Sequence, residues 1–263
     1  MRIAFHALLI AILATGSAFA EFNAEQPTAM VTGGNRGIGL EFVRQLAERD
    51  WNVIATARKP ESAEALTALA ESHPNISVVQ LDVTDHARID ALAIEYKDQP
   101  IDVLINNAAI TPKYASAYKK LDGVDFDMSE MSYAVNAEGP LKIAQAFMPN
   151  IAASEQKKLI VISSKAGSFA TGPKMPMMYS YRASKAALNM FMYTLAFETP
   201  KKGVTLTLLS PGMVNTMGPD GPKMPKAIEP SESVSKMLAI IDGLTPEDNG
   251  RFISYEDGSD IPW

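Results

Sequence analysis

From Thr28 onward, short apolar runs alternate with longer stretches of helical periodicity. Residues 28–32, 52–57, 76–83, 101–108, 157–164, 204–212 and 251–255 read as strands. Residues 37–48, 61–72, 128–147, 180–197 and 233–241 read as helices, and Thr84 stands where it can cap another. The strand runs are apolar on both sides, which requires both faces to be covered. Regular strand–helix alternation then predicts an α/β fold: one doubly wound parallel sheet with helices on both faces. No linker rich in proline and glycine divides the chain, and 263 residues at 47% hydrophobic suffice for one core.

Several strands end in small or polar residues: Thr32-Gly33-Gly34, Asn106-Asn107-Ala108, Ser163-Ser164 and Ser210-Pro211-Gly212. Ligands of open α/β sheets bind beyond the carboxyl ends of the strands, so these four ends are candidates for one site. The first is TGGNRGIG, residues 32–39, between a strand and a helix. Gly33, Gly37 and Gly39 allow a tight turn and close approach of a pyrophosphate, with the following helix N-terminus offering free N–H groups. A turn that only packs helix on strand would use the same residues.

Composition removes other chemistries. The chain has no cysteine, so disulfides, thiolate catalysis and cysteine metal sites are excluded. His6, His73 and His86 lack ligand spacing, so no metal is expected. The net charge is −6 without a basic tract, which argues against nucleic acid. Residues 1–22, MRIAFHALLIAILATGSAFAEF, have the pattern of a secretory signal cleaved after Ala20, leaving a mature domain of residues 21–263. The apolar run is short for a membrane span. The expectation is a periplasmic or secreted protein, with a cytoplasmic location as the alternative.

The stretch YSYRASKAAL, residues 179–188, holds two tyrosines and a lysine. Residues four apart share a helix face, so Tyr181 rather than Tyr179 would feel the charge of Lys185. Taken with the glycine turn, NNAA (106–109), ISS (162–164) and this Y-x-x-x-K pair, the chain resembles the short-chain dehydrogenase/reductase family from about Thr28 to its end. YRASKAALN and DGSDIPW are more narrowly similar to the C-factor/sniffer-like carbonyl reductases.

The resemblance implies a single-domain Rossmann-type fold and a nicotinamide cofactor. It makes Tyr181 the general acid or base, Lys185 the charge beside it and a ribose ligand, Ser164 the hydrogen-bond partner of the substrate oxygen, and Asn136 the holder of a water leading from the lysine. Ser163, one residue earlier on the strand, should face away. On the same footing the cofactor contacts fall on Gly33, Asn35, Arg36, Gly37, Ile38 and Gly39, on Asp82 and Val83, on Asn107 and Ala108, on Tyr181 and Lys185, and on Pro211, Gly212, Val214 and Thr216. After the second strand the sequence reads ATARKP, with Arg58 and Lys59 where an acid would select NAD. With Arg36 nearby, NADP(H) is favoured and NAD(H) is the alternative.

One departure from the family is the longer path from Ser164 to Tyr181, which includes GPKMPMM (172–178). Met175, Met177 and Met178 either line a pliable pocket or pack as an ordinary loop. Arg182 reads as a helix-surface residue. Residues 217–225 read as a lid or a passive loop. The expected activity is hydride transfer between NADPH and a small or medium apolar carbonyl compound, or the reverse alcohol oxidation. The alternative is a non-catalytic dinucleotide-binding or signalling protein. A homodimer or homotetramer is compatible with the resemblance.

Overall fold

The computed structural model describes residues 22–111, 119–216 and 224–263. The expected leader, residues 1–20, lies outside the described residues, as does most of the expected lid, residues 217–223. Seven strands form one sheet: β1 (Thr28–Val31), β2 (Asn52–Ala57), β3 (Ile76–Gln80), β4 (Val103–Asn106), β5 (Lys158–Ile162), β6 (Thr205–Ser210) and β7 (Phe252–Ser254). Their order is β3-β2-β1-β4-β5-β6-β7, and every neighbouring pair is parallel. The order reverses direction between β1 and β4, which puts a crevice at their carboxyl ends.

The helices are α1 (Gly37–Ala47), α2 (Glu64–Ser72), α3 (His86–Glu95), α4 (Phe126–Tyr133), α5 (Gly139–Ala153), α6 (Tyr179–Leu195) and α7 (Pro230–Gly243). Strand alternation divides the core in two. Met30, Leu104, Leu159, Val161 and Leu206 face Ile89 of α3, Phe147 of α5 and Leu188 and Met192 of α6. Ala29, Val31, Ile105, Ile160 and Leu209 face Phe42 and Leu46 of α1, Leu66 of α2 and Met237 of α7. Helices cover both faces of the sheet, which is why most strand positions are apolar.

Three local expectations need correction. The strands read as 76–83 and 101–108 end at Gln80 and Asn106, because the chain then leaves the sheet for side-chain-held loops. Thr84 does not cap α3: its hydroxyl donates to Asp82 Oδ1 at 2.8 Å, and Asp85 caps instead, accepting the Arg88 N–H at 2.9 Å. The single helix read at 128–147 is two, joined by a π turn over Ala134–Glu138. Gly139 N–H donates to the Ala134 carbonyl, five residues back. Pro140 has no N–H, so the Asn136 carbonyl receives no i+4 donor. Such bulges in α-helices often mark functional sites.

Candidate active site

The glycine turn is closed from three sides. Gly33 has φ of +68°, and a Cβ there would lie 2.9 Å from the Ala108 Cα. At Gly39 a Cβ would fall 2.1 Å from the Gly33 carbonyl oxygen and 2.5 Å from Asn107 Nδ2. No side chain fits there, so α1 starts hard against the end of β1. Asn107 holds the turn: Nδ2 donates to the carbonyls of Thr32 (2.9 Å) and Gly33 (3.2 Å). Thr32 Oγ1 in turn accepts the N–H groups of Asn107 and Ala108, both at 3.0 Å.

The end of β6 reaches the same crevice. Gly212 (φ +79°) lies under Tyr255, where a Cβ would meet Cε1 at 2.4 Å. Ser233 Oγ donates to the Pro211 carbonyl at 2.7 Å. Val214 is buried and bridges Ile228. Thr216 comes over the turn: a Cβ on Gly37 would touch its side chain at 3.2 Å. Asn35 and Ile38 are half-buried on the turn, while Arg36, Arg58 and Lys59 are exposed. None of these three cations forms an ion pair among the described residues. Asp82 spends Oδ1 on the Thr84 N–H and hydroxyl, and the Val83 carbonyl packs where a Cβ of Gly139 would stand, 2.9 Å away.

Opposite the turn, α6 presents Tyr181 and Lys185 on one face, as their spacing predicts. The Tyr181 hydroxyl stands beside Ser164, whose Oγ accepts the Ala166 N–H at 3.1 Å. Burial pushes the phenol above its ordinary value, and the Ser164 hydroxyl opposes that shift. Lys185 is buried; its Nζ donates to the Ile162 carbonyl at 2.9 Å and stands 6.0 Å from the Tyr181 ring centre. Burial lowers its ammonium to about 8. Ser163 does face away, donating to Asn189 Oδ1 at 2.5 Å.

Asn136 sits in the π turn, fully buried. Its Oδ1 accepts the Ile110 N–H at 2.8 Å, and Nδ2 donates to the Ile110 carbonyl (2.9 Å) and Ser184 Oγ (3.0 Å). Ser184 Oγ donates to the Tyr181 carbonyl at 2.8 Å. The Asn136 side chain therefore ties the loop after β4 to the tyrosine helix, and its backbone carbonyl, which has no i+4 donor, can accept from a water.

Sequence reading missed Ser184, Asn189, Ser233 and Tyr255, which support the site from behind. It also placed Arg182 on the helix surface; instead the guanidinium is half-buried, donating to the Ala166 carbonyl at 3.4 Å and the Met175 carbonyl at 3.2 Å. A cavity of about 70 Å³ opens beside Tyr181, with Val124, Met128, Ser132, Met178 and Tyr179 in its wall. Of the three segment methionines, only Met178 reaches that wall; Met175 is exposed.

A glycine turn at the sheet's switch point, facing a serine, tyrosine and lysine from α6 and β5, defines a dinucleotide-type oxidoreductase. Residues 27–220 match the short chain dehydrogenase family, and the chain belongs to it. Within that family it lies with the carbonyl-reductase-like branch. The solved NADPH-bound carbonyl reductase from chicken fatty liver is 33% identical, with a TM-score of 0.81 over 90% of this chain and 99% of that one. The carbonyl reductase Sniffer of D. melanogaster is 28% identical, with a TM-score of 0.79 over 90% and 100%. The C-signal protein of Myxococcus xanthus is 36% identical over 62% of this chain and 93% of its own.

Proposed function

We propose that this oxidoreductase reduces small or medium apolar carbonyl compounds and prefers NADPH. The residues fit such a cofactor: the cradle around Gly33, Gly37 and Gly39 has no room for side chains, and α1 begins at its rim. Arg36, Arg58 and Lys59 are exposed and form no ion pair among the described residues, which suits a 2′-phosphate. Bound NADPH would supply the hydride for the carbonyl carbon.

The protein's own residues then handle the oxygen. The Ser164 hydroxyl donates to the carbonyl oxygen and polarises it. The Tyr181 phenol gives its proton to that oxygen as the carbon is reduced. The phenolate left behind is balanced by the Lys185 ammonium, which is charged below its value of about 8. A proton returns to the phenolate from solvent on the lysine side, where the Asn136 carbonyl can hold a water. The Tyr181 phenol, pushed up by burial, starts protonated near neutral pH, which supports reduction over alcohol oxidation.

The observation that carries this reading is the Ser164–Tyr181–Lys185 cluster, with a cavity opening beside Tyr181. Its test is NADPH consumption with a panel of aldehydes and ketones. Turnover by the wild type that disappears in Tyr181→Phe supports it; cofactor binding without turnover of any carbonyl supports the alternative, a non-catalytic binding or signalling protein, which the similarity to C-signal favours. We further propose that residues 1–20 are a leader removed on export; a cytosolic chain that retains Met1, found by fractionation and N-terminal sequencing, would contradict it.

A further inference from the structure

We propose that Arg182 is a positioning residue that sets substrate selectivity, by holding the 172–178 segment against the tyrosine helix. This deepens the carbonyl-reductase reading and rests on it for its substrate. The segment between Ser164 and Tyr181 is held in two halves. The first is fixed by the tail: Ser168 Oγ donates to the Pro262 carbonyl at 2.6 Å, and the Ala170 N–H to the Trp263 carbonyl at 3.2 Å. Trp263 is itself seated on Phe252 and Tyr193, with ring centres 5.4 Å away in each case. Gly172 closes that half with a bond to the Ser168 carbonyl at 3.0 Å.

The second half has one anchor. Among the described residues, the only hydrogen bond joining residues 173–177 to the rest of the protein runs from Arg182 Nη1 to the Met175 carbonyl, at 3.2 Å. The same guanidinium reaches back through Nε to the Ala166 carbonyl at 3.4 Å, so it ties Met175 to the turn just after β5. Its backbone N–H bonds the Met178 carbonyl at 2.9 Å. Met178 holds a left-handed conformation (φ 53°, ψ 42°), which costs a non-glycine residue energy and persists only where the surroundings impose it. Met178 is also in the cavity wall beside Tyr181.

Arg182 follows Tyr181 directly, so it shares the rigid helix that carries the proton donor. Its backbone holds Met178, and its side chain adds a tie at Met175, three residues earlier, which limits how far the Met178 wall can shift. A flexible wall of methionine would accommodate many shapes; a wall tied at Met175 and Met178 selects among them. A lysine ammonium is a point donor without the planar fork, and spans two carbonyls poorly.

Two readouts test this. Lys174 is exposed and precedes Met175, so limited trypsin digestion reports how often the segment opens, without any activity assay. Arg182→Ala should raise the rate of cutting at Lys174–Met175 by about tenfold or more, with Arg182→Lys between it and the wild type. In turnover, Arg182→Ala should raise KM for bulky carbonyls by about tenfold, raise it less for small aldehydes, and leave kcat within about twofold. Thermal unfolding of each variant identifies any that has simply lost its fold, in which case Arg182→Lys carries the test. Unchanged cutting and unchanged KM overturn the proposal, as does a fall in kcat at constant KM. If the wild type turns over no carbonyl, the catalytic reading fails, and the trypsin rates alone decide whether Arg182 holds the segment.

Discussion

Lys185 is the group whose replacement separates function from stability most sharply. It is buried, makes a hydrogen bond to the Ile162 carbonyl, and has no carboxylate partner among the described residues. Its ammonium drops from 10.5 in the open chain to about 8 in the folded one, because burial disfavours the charged form. Between these values the unfolded chain holds a proton that the folded chain does not. Stability therefore rises with pH across the window from about 8 to 10.5 and is lowest below it. The shift corresponds to about 3 kcal/mol of destabilisation at pH 7, most of it relieved by pH 10. Lys185→Met removes that dependence. It also leaves the Ile162 carbonyl short of a donor, a cost of about 1–3 kcal/mol that does not vary with pH. The diagnostic is thus the slope of the difference rather than its value at one pH. Urea unfolding of cofactor-free wild type and variant from pH 7 to 10 should show the wild type gaining about 2–3 kcal/mol on the variant. Tyr181 is raised by burial, so ionisation of the unfolded phenol near pH 10 works against folding, but both proteins carry this tyrosine and its effect cancels in the difference. A difference that is flat, or that falls with pH, would refute the buried-charge account of Lys185.

Three further outcomes are expected. Tyr181→Phe should lower kcat by at least about 100-fold while NADPH affinity, measured by fluorescence titration, stays within about twofold. Gly39→Ala should destabilise by about 3 kcal/mol or more and abolish cofactor binding, since its Cβ would overlap the Gly33 carbonyl oxygen; Gly243→Ala, at the end of α7 with nothing within 4 Å, should be neutral or slightly stabilising in the same thermal scan. Arg58→Asp should weaken NADPH binding by about tenfold and narrow or reverse the preference over NADH, read from the ratio of kcat/KM for the two cofactors at low salt.

The sheet was readable from sequence because most strands are buried on both faces, so the Val103–Ile105 and Leu159–Ile162 runs carry no polar interruption to obscure them. Tyr181 and Lys185 were readable because helical geometry alone relates them. What was not legible depends on partners far along the chain. The Asn107 side chain, for one, is committed to the Thr32 and Gly33 carbonyls, about 75 residues away in sequence. The π turn was invisible because the apolar period runs on through Val135, Ile143 and Phe147 while the backbone gains a residue. The reason for Gly167 is likewise spatial: a Cβ there would lie 2.8 Å from the Lys185 Cβ, so the loop after β5 can press on the helix only without a side chain.

The buried stripe of α6 shows why these distant contacts converge. Its inward positions are Ser184, Lys185, Leu188, Asn189 and Met192. A helix that only covered a sheet would be apolar at all five. Leu188 and Met192 do pack into the core, but the three polar residues each hold a different piece of the crevice. Ser184 receives Asn136 from the π turn, Lys185 reaches the end of β5 through Ile162, and Asn189 accepts from Ser163. Arg182, on the adjoining face, adds the segment after β5. A small rotation of this helix would break all four links together, so the helix has one seating. Tyr181 inherits that seating without making the bonds itself, and its hydroxyl is left for Ser164 and for an incoming carbonyl oxygen.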